Sequence, residues 1–174
     1  DLLWVSRCQT LKRPHLFLDL VKALPDARCT MICPCEDKEL WDSVAGRAKS
    51  LPNLKFIEKV PYHEIQEYYD RARIFVNTST FEGFPNSFIQ SGMGCAALLS
   101  LCIDPDGMIH EFGCGILANE SMGNMILGAK TMLADGARLS SMQEGSARMV
   151  AEWLDNRANV QKYLEGLENP AVMS

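Results

Sequence analysis

The chain has no glycine fingerprint behind its first strand, no phosphate loop ending in lysine and serine or threonine, and no paired cysteine knuckles. The first absence disfavours a nicotinamide or flavin site, which needs glycines for a tight turn and for close approach of the pyrophosphate. The second removes the loop whose backbone cradles phosphates in nucleoside triphosphatases. The third argues against structural zinc, which normally takes four ligands from two knuckles. Surplus positive charge is lacking as well. With a formal charge of -5, the chain has no excess of cations to displace phosphate counterions, so nucleic acid is excluded as the main partner. No apolar run approaches the ~20 residues of a membrane span, and no secretory signal is visible.

Cysteine is what the sequence has in excess. Seven occur, at Cys8, Cys29, Cys33, Cys35, Cys95, Cys102 and Cys114, an odd number without a repeating spacing. Most fall in apolar runs, where a free thiol behaves as a small hydrophobe. The one local cluster, "CTMICPC", holds three. A reduced, cytoplasmic protein is the expectation.

At 174 residues, 47% of them apolar, one domain with a real core is expected over 1–174. "LLWVS" (2–6), "RCTMIC" (28–33), "LKFI" (54–57), "RIFVN" (73–77), "AALLS" (96–100) and "GILA" (115–118) read as strands. They are nearly continuous apolar runs, the pattern of parallel strands covered on both faces. Helical patterns lie between them. One has Leu16, Phe17, Leu20, Val21 and Leu24 on one face, with Pro14 opening it and Pro25 closing it. Another carries Ile65, Tyr68, Tyr69 and Ala72. Three more helical stretches are expected after Ser121, the last amphipathic through Val160, Tyr163, Leu164 and Leu167. The alternation predicts an α/β fold: a Rossmann-like, doubly wound parallel sheet of about six strands with extra C-terminal helices. A chain that opens directly in a strand, "DLLWVS", is expected to be a piece of something longer.

Ligands in such sheets sit at the carboxyl ends of the strands, near the switch point between the first and fourth. The loops to read are therefore those after Ser6 and Asn77. The first, "SRCQTLKRP", offers cations: Arg7 off the strand, then Lys12 and Arg13. By itself that spacing also fits a solvated surface. The second, "TSTFEGFPNSFIQSG", is richer. Gly83 permits close backbone approach. Pro85 suits a first helical position, leaving the N–H groups of Asn86 and Ser87 free at a helix amino end that favours anions. Glu82 would repel a phosphate, so it suits a neutral polyol; as a bland alternative, an acid there stabilises the helix. Gln90 stands eight residues later, placed to reach a second set of hydroxyls. Two cations, a helix amino end and flanking hydroxyl acceptors describe a site for a sugar linked to a diphosphate.

Arg7, Lys12 and "EGFPNSFIQ" resemble the retaining GT-B glycosyltransferases of family 4, in the C-terminal nucleotide-sugar-binding domain. There an arginine after the first strand precedes a lysine by five residues, and a Glu-seven-residues-Glu signature follows the fourth strand. "LPNLKFIEKVPYHEIQEYYDRARIFVNTST" also looks like that family's stretch between strands 3 and 4. The resemblance implies hexosyl transfer from a nucleoside diphosphate sugar to an acceptor hydroxyl, with retention, in polysaccharide biosynthesis. It implies no cofactor and no metal, the nucleotide sugar being substrate. It assigns Arg7 and Lys12 to the diphosphate and its developing charge, and Glu82 to the donor hexose. Backbone around Gly83, Phe84, Pro85, Asn86 and Ser87 would contact sugar and phosphate, Gln90 would meet the ribose, and Val60 to Tyr62, with Pro61 between, would border the base. The acceptor domain would be the protein's own N-terminal half, absent here, so the fragment is expected to transfer nothing alone. Membrane contact, at the inner face, would come only through that half.

The sequence departs from this pattern at Gln90, where the family has a carboxylate, at Cys95 and Ala97, where glycine and proline are usual, and at Glu58, where glycine is common. A nucleotide-sugar-binding module without chemistry, a GT-B epimerase domain, and a generic α/β domain with solvated cations remain alternatives. Asp104-Pro105-Asp106-Gly107 has the look of a metal-binding pair of acids, but the same residues are ordinary turn chemistry. His15, His63 and His110 read as surface or capping residues, and Trp4, Trp41 and Trp153 as core.

Overall fold

The computed structural model describes residues 1–83 and 85–153. Six strands form one parallel sheet: β1 (Leu2–Val5), β2 (Cys29–Ile32), β3 (Leu54–Ile57), β4 (Ile74–Asn77), β5 (Ala97–Ser100) and β6 (Gly115–Leu117). Their order is β3-β2-β1-β4-β5-β6. All six apolar runs are strands, and the order reverses between β1 and β4, which opens a crevice at their carboxyl ends.

Among the described residues seven α-helices connect and follow them: α1 (Pro14–Lys22), α2 (Lys38–Ala48), α3 (Ile65–Arg71), α4 (Asn86–Met93), α5 (Met108–Glu111), α6 (Met122–Ala134) and α7 (Gly136–Trp153). Side chains alternate across the sheet, so the core splits into two layers. Leu2, Trp4, Cys29, Met31, Ile74, Val76, Ala97 and Leu99 face α1, α2 and α6. Leu3, Ile32, Phe75 and Leu98 face the other side, against Tyr69, Phe88 and Ile109 of α3, α4 and α5. Helix α7 serves both: Leu139 and Met142 join the first layer, Met149 and Val150 the second. It crosses α4 so closely that a Cβ on Gly92 would lie 2.3 Å from Val150 Cγ2. Of the three expected tail helices, two are α6 and α7; the stretch from Val160 to Leu167 and the Trp153 side chain lie outside the described residues.

Pro14 opens α1 as expected. Pro85 does not open α4. It is the preceding residue, with extended backbone (φ -77°, ψ 110°), and α4 begins at Asn86. Its carbonyl accepts from Phe88 N at 2.8 Å, the first hydrogen bond of the helix. Asp104 caps the turn that leads into α5, accepting from Ile109 N at 2.8 Å. Asp106 and Gly107 follow with left-handed φ values of 51° and 70°. These are turn residues, and among the described residues no group of three or more His, Cys, Asp or Glu could hold a metal.

Candidate functional site at the carboxyl edge of the sheet

Two loops, β1–α1 and β4–α4, meet where the strand order reverses, and a chain of buried and part-buried hydrogen bonds sets their spacing. Trp4, stacked on Phe17 with ring centroids 6.2 Å apart, donates from Nε1 to Thr78 Oγ1 at 2.9 Å. The Thr78 hydroxyl donates onward to the Lys12 carbonyl at 2.6 Å. Thr80 N adds a bond to the Leu11 carbonyl at 2.8 Å. Arg13 completes the join. Its backbone takes a left-handed turn (φ 47°, ψ 53°) between a short 3-10 turn and α1. Its guanidinium then reaches across to the carbonyls of Thr78 (2.8 Å) and Ser79 (3.1 Å). Its planar fork suits this two-carbonyl grip, which a lysine could not reproduce. Arg13 is thus spent on holding the loops together.

The cleft they enclose has a volume of about 950 Å³. Arg7 and Lys12 line it from one loop, and Ser79, Glu82, Pro85, Asn86, Ser87 and Gln90 from the other. Val60, Tyr62 and Ile65 close a third side, and Tyr69 and Phe75 lie at the floor. Tyr69 is fully buried, and desolvation pushes its phenol well above the ordinary tyrosine range. Of the residues singled out in the sequence, Pro61 and Gly83 do not line the cleft. A Cβ on Gly83 would meet nothing within 4 Å, so no protein neighbour requires glycine there. Phe84 lies outside the described residues.

Both cations are paired with acids. Lys12 Nζ lies 2.6 Å from Glu82 Oε1, each side chain only 16% exposed. The same Glu82 oxygen accepts from Ser79 Oγ at 2.6 Å. Arg7 Nη1 lies 3.0 Å from Glu36 Oε2 in a much more open setting, and Gln9 Nε2 donates to the other oxygen of Glu36. The N–H groups of Asn86 and Ser87 begin α4, where the helix supplies no carbonyl partner. Chemically, the cleft offers two cations, a helix amino end, two hydroxyl-binding side chains and an apolar side wall.

Sequence reasoning did not single out Glu36, Ser79, Thr78 or the role of Arg13. Thr78 and Ser79 stand directly behind a strand at the switch point, a position that could have drawn attention to them. Glu36 and Arg13 act across distances in sequence that no local spacing reveals.

The departures at Cys95 and Ala97 have local explanations. Cys95 is an exposed residue with a left-handed φ of 52°, a conformation that glycine adopts freely. Ala97 N donates to Arg73 O at 3.0 Å, a bond that proline could not make. Glu58 is exposed beyond β3.

A six-stranded parallel sheet of this order, with a polar cleft at its switch point, is the Rossmann-like architecture of GT-B glycosyltransferase domains. The chain belongs to the family of glycosyl transferases group 1, whose model matches residues 1–130. No individual curated protein matches it in sequence. Among solved structures it is similar to sucrose-phosphate synthase from Thermosynechococcus elongatus, with a TM-score of 0.79 at 14% identity over 99% of this chain and 46% of that one. It is also similar to TarM of S. aureus in complex with fondaparinux, alpha-GlcNAc-glycerol and UDP, with a TM-score of 0.78 at 14% identity over 94% of this chain and 34% of that one. The C-terminal domain of the glycosyl transferase group 1 protein LpcC from Francisella tularensis gives 0.72 at 16% identity, over 87% and 84%. The chain thus spans about a third to a half of the two larger enzymes and most of the isolated domain.

Proposed function

We propose that the cleft binds a nucleoside diphosphate sugar and that the domain is the C-terminal, donor-binding half of a retaining, family 4 glycosyltransferase. The observation that carries this reading is the convergence of Arg7, Lys12, the amino end of α4, Glu82 and Gln90 on one cleft of about 950 Å³ at the switch point. UDP in the complex of the similar TarM supports the same ligand class.

In this reading the diphosphate takes Lys12 and Arg7 from their carboxylate partners. Fixed cations suit the charge that develops on the departing phosphate, because they are oriented before the reaction begins. The α4 amino end adds backbone N–H groups and its dipole to the same task. Glu82, freed of Lys12 but still held by Ser79, accepts from the hexose hydroxyls. Gln90 bonds the ribose with an amide in place of a carboxylate, which forgoes about 1 kcal/mol of charge assistance. Val60 and Tyr62 flank the base. No cofactor or metal takes part: the two cations supply the positive charge. The hexosyl group passes to an acceptor hydroxyl presented by the protein's own N-terminal domain, and the donor half alone transfers nothing. A cytoplasmic setting fits a nucleotide-sugar donor, with any membrane contact made through the acceptor half.

Backbone NMR during titration with UDP tests the assignment. Perturbations should cluster at Arg7, Lys12, Val60 and the segment from Ser79 to Gln90. A titration that perturbs another face of the domain would refute it.

A further inference from the structure

The ladder between β1 and β2 continues past the strands themselves. Leu2 faces Cys29 and Val5 faces Ile32 in parallel register. Beyond them, Ser6 N donates to Ile32 O at 3.2 Å and Cys8 N donates to Pro34 O at 2.8 Å. These two bonds carry the register forward, so that Cys8 faces Cys35. The Cys8 carbonyl then accepts from Asp37 N at 3.1 Å, one residue beyond the regular partner Glu36, so the ladder ends in a one-residue bulge that leaves Cys35 and Glu36 opposite Cys8. Neighbouring parallel strands lie about 4.8 Å apart, inside the 4.4–6.8 Å range over which α-carbons accept a disulfide. Alternation puts Cys8, Cys33 and Cys35 on one side of the sheet. Cys8 and Cys33 are fully buried there, in the layer of Trp4 and Met31, whereas Cys35 is exposed.

We infer that Cys8 and Cys35 form a reversible disulfide, a modification site that clips the β1–α1 loop to the segment following β2. The oxidant is a low-molecular-weight disulfide of the glutathione class. The exposed Cys35 thiolate attacks one of its sulfurs; the S–S bond breaks and the departing thiolate takes up a proton. Cys8, held in register, then loses its proton and attacks the Cys35 sulfur, expelling the second small thiol. Two protein thiols are oxidised and one small disulfide is reduced to two thiols. Exchange of this kind begins at the accessible sulfur, and burial, which pushes the Cys8 thiol up, fits Cys8 as the second participant. Cys33 is the rival partner, since its thiol is near enough to influence that of Cys8. It sits two residues back along the strand, about 8 Å from Cys8 between α-carbons by strand geometry, beyond the bridging limit.

The test is incubation of the folded chain with graded ratios of oxidised to reduced glutathione, an acid quench, alkylation and non-reducing peptide mapping. The expected result is a Cys8–Cys35 cross-linked peptide that grows with the ratio and disappears on reduction. It should be absent from Cys35→Ser and retained in Cys95→Ser, which removes the other exposed thiol. Cys35 is exposed, so its serine variant keeps the fold, which circular dichroism verifies. Recovery of Cys35 only as a stable glutathione adduct with Cys8 alkylated, or a Cys8–Cys33 cross-link, would overturn the inference.

Discussion

Lys12 and Glu82 lie 70 residues apart in sequence, yet their charged ends meet at 2.6 Å. Both side chains are only 16% exposed, so neither charge is well solvated if its partner is removed. Ser79 Oγ donates to the same Glu82 oxygen. The pair therefore acts as a latch across the candidate donor site. Lys12→Ala and Glu82→Ala should each cost about 2 kcal/mol, because each leaves a partly buried charge unpaired. The double variant should cost clearly less than the sum, and urea denaturation of the four proteins measures that coupling.

Arg13 makes a second prediction. Its guanidinium bonds two loop carbonyls, and hydrogen bonds from a charged donor contribute about 1.5–3 kcal/mol. Arg13→Ala should lose roughly 2 kcal/mol of stability. Arg13→Lys should recover only part of it, since an ammonium lacks the fork. Chemical denaturation separates the two variants.

Position 95 should respond in the opposite sense. A left-handed backbone costs a non-glycine residue about 1–2 kcal/mol, partly offset by the greater freedom of glycine in the unfolded chain. Cys95→Gly is therefore expected to raise the melting temperature, with a gain of about 0.5–1 kcal/mol. Ala97→Pro, the other family-like change, should lower stability by about 2 kcal/mol through loss of the bond to Arg73 O.

Alkaline pH provides a fourth test. Burial pushes the Cys29 and Cys114 thiols from an ordinary 9.0 up to about 11. Below pH 9 both folded and unfolded chains keep these protons, and the thiols' contribution to stability is fully present. Between about 9 and 11 the unfolded chain gives them up first, so stability falls as pH rises through that window. Urea midpoints should be flat to pH 9 with respect to these groups and decline above it. The decline should be shallower in Cys29→Ala and Cys114→Ala, each compared with its own midpoint at neutral pH.

The sheet was legible because strands buried on both faces leave uninterrupted apolar runs, as in "RIFVN" and "AALLS", bounded by polar turns. The switch point followed from strand order, and with it the two loops that matter. What stayed hidden depends on contacts between distant residues. Arg13 reads as a third surface cation beside Lys12 until its left-handed backbone turns the side chain towards Thr78. Glu36 carries no local signal of its contact with Arg7. Cys8 joins Cys33 and Cys35 only through the continued β1–β2 register. Pro85 reads as the first residue of α4 but stands just before it, since proline is tolerated on either side of a helix start.

The most direct test of a donor site in this cleft is calorimetric titration with UDP, GDP and ADP in the absence of metal. It should be run on the wild-type chain, Arg7→Ala and Lys12→Ala, with the fold of each checked by circular dichroism. The account predicts binding of one of the three nucleotides, weakened at least tenfold in both variants, which corresponds to about 1.4 kcal/mol or more. Binding that is unchanged when Arg7 and Lys12 are removed would contradict it.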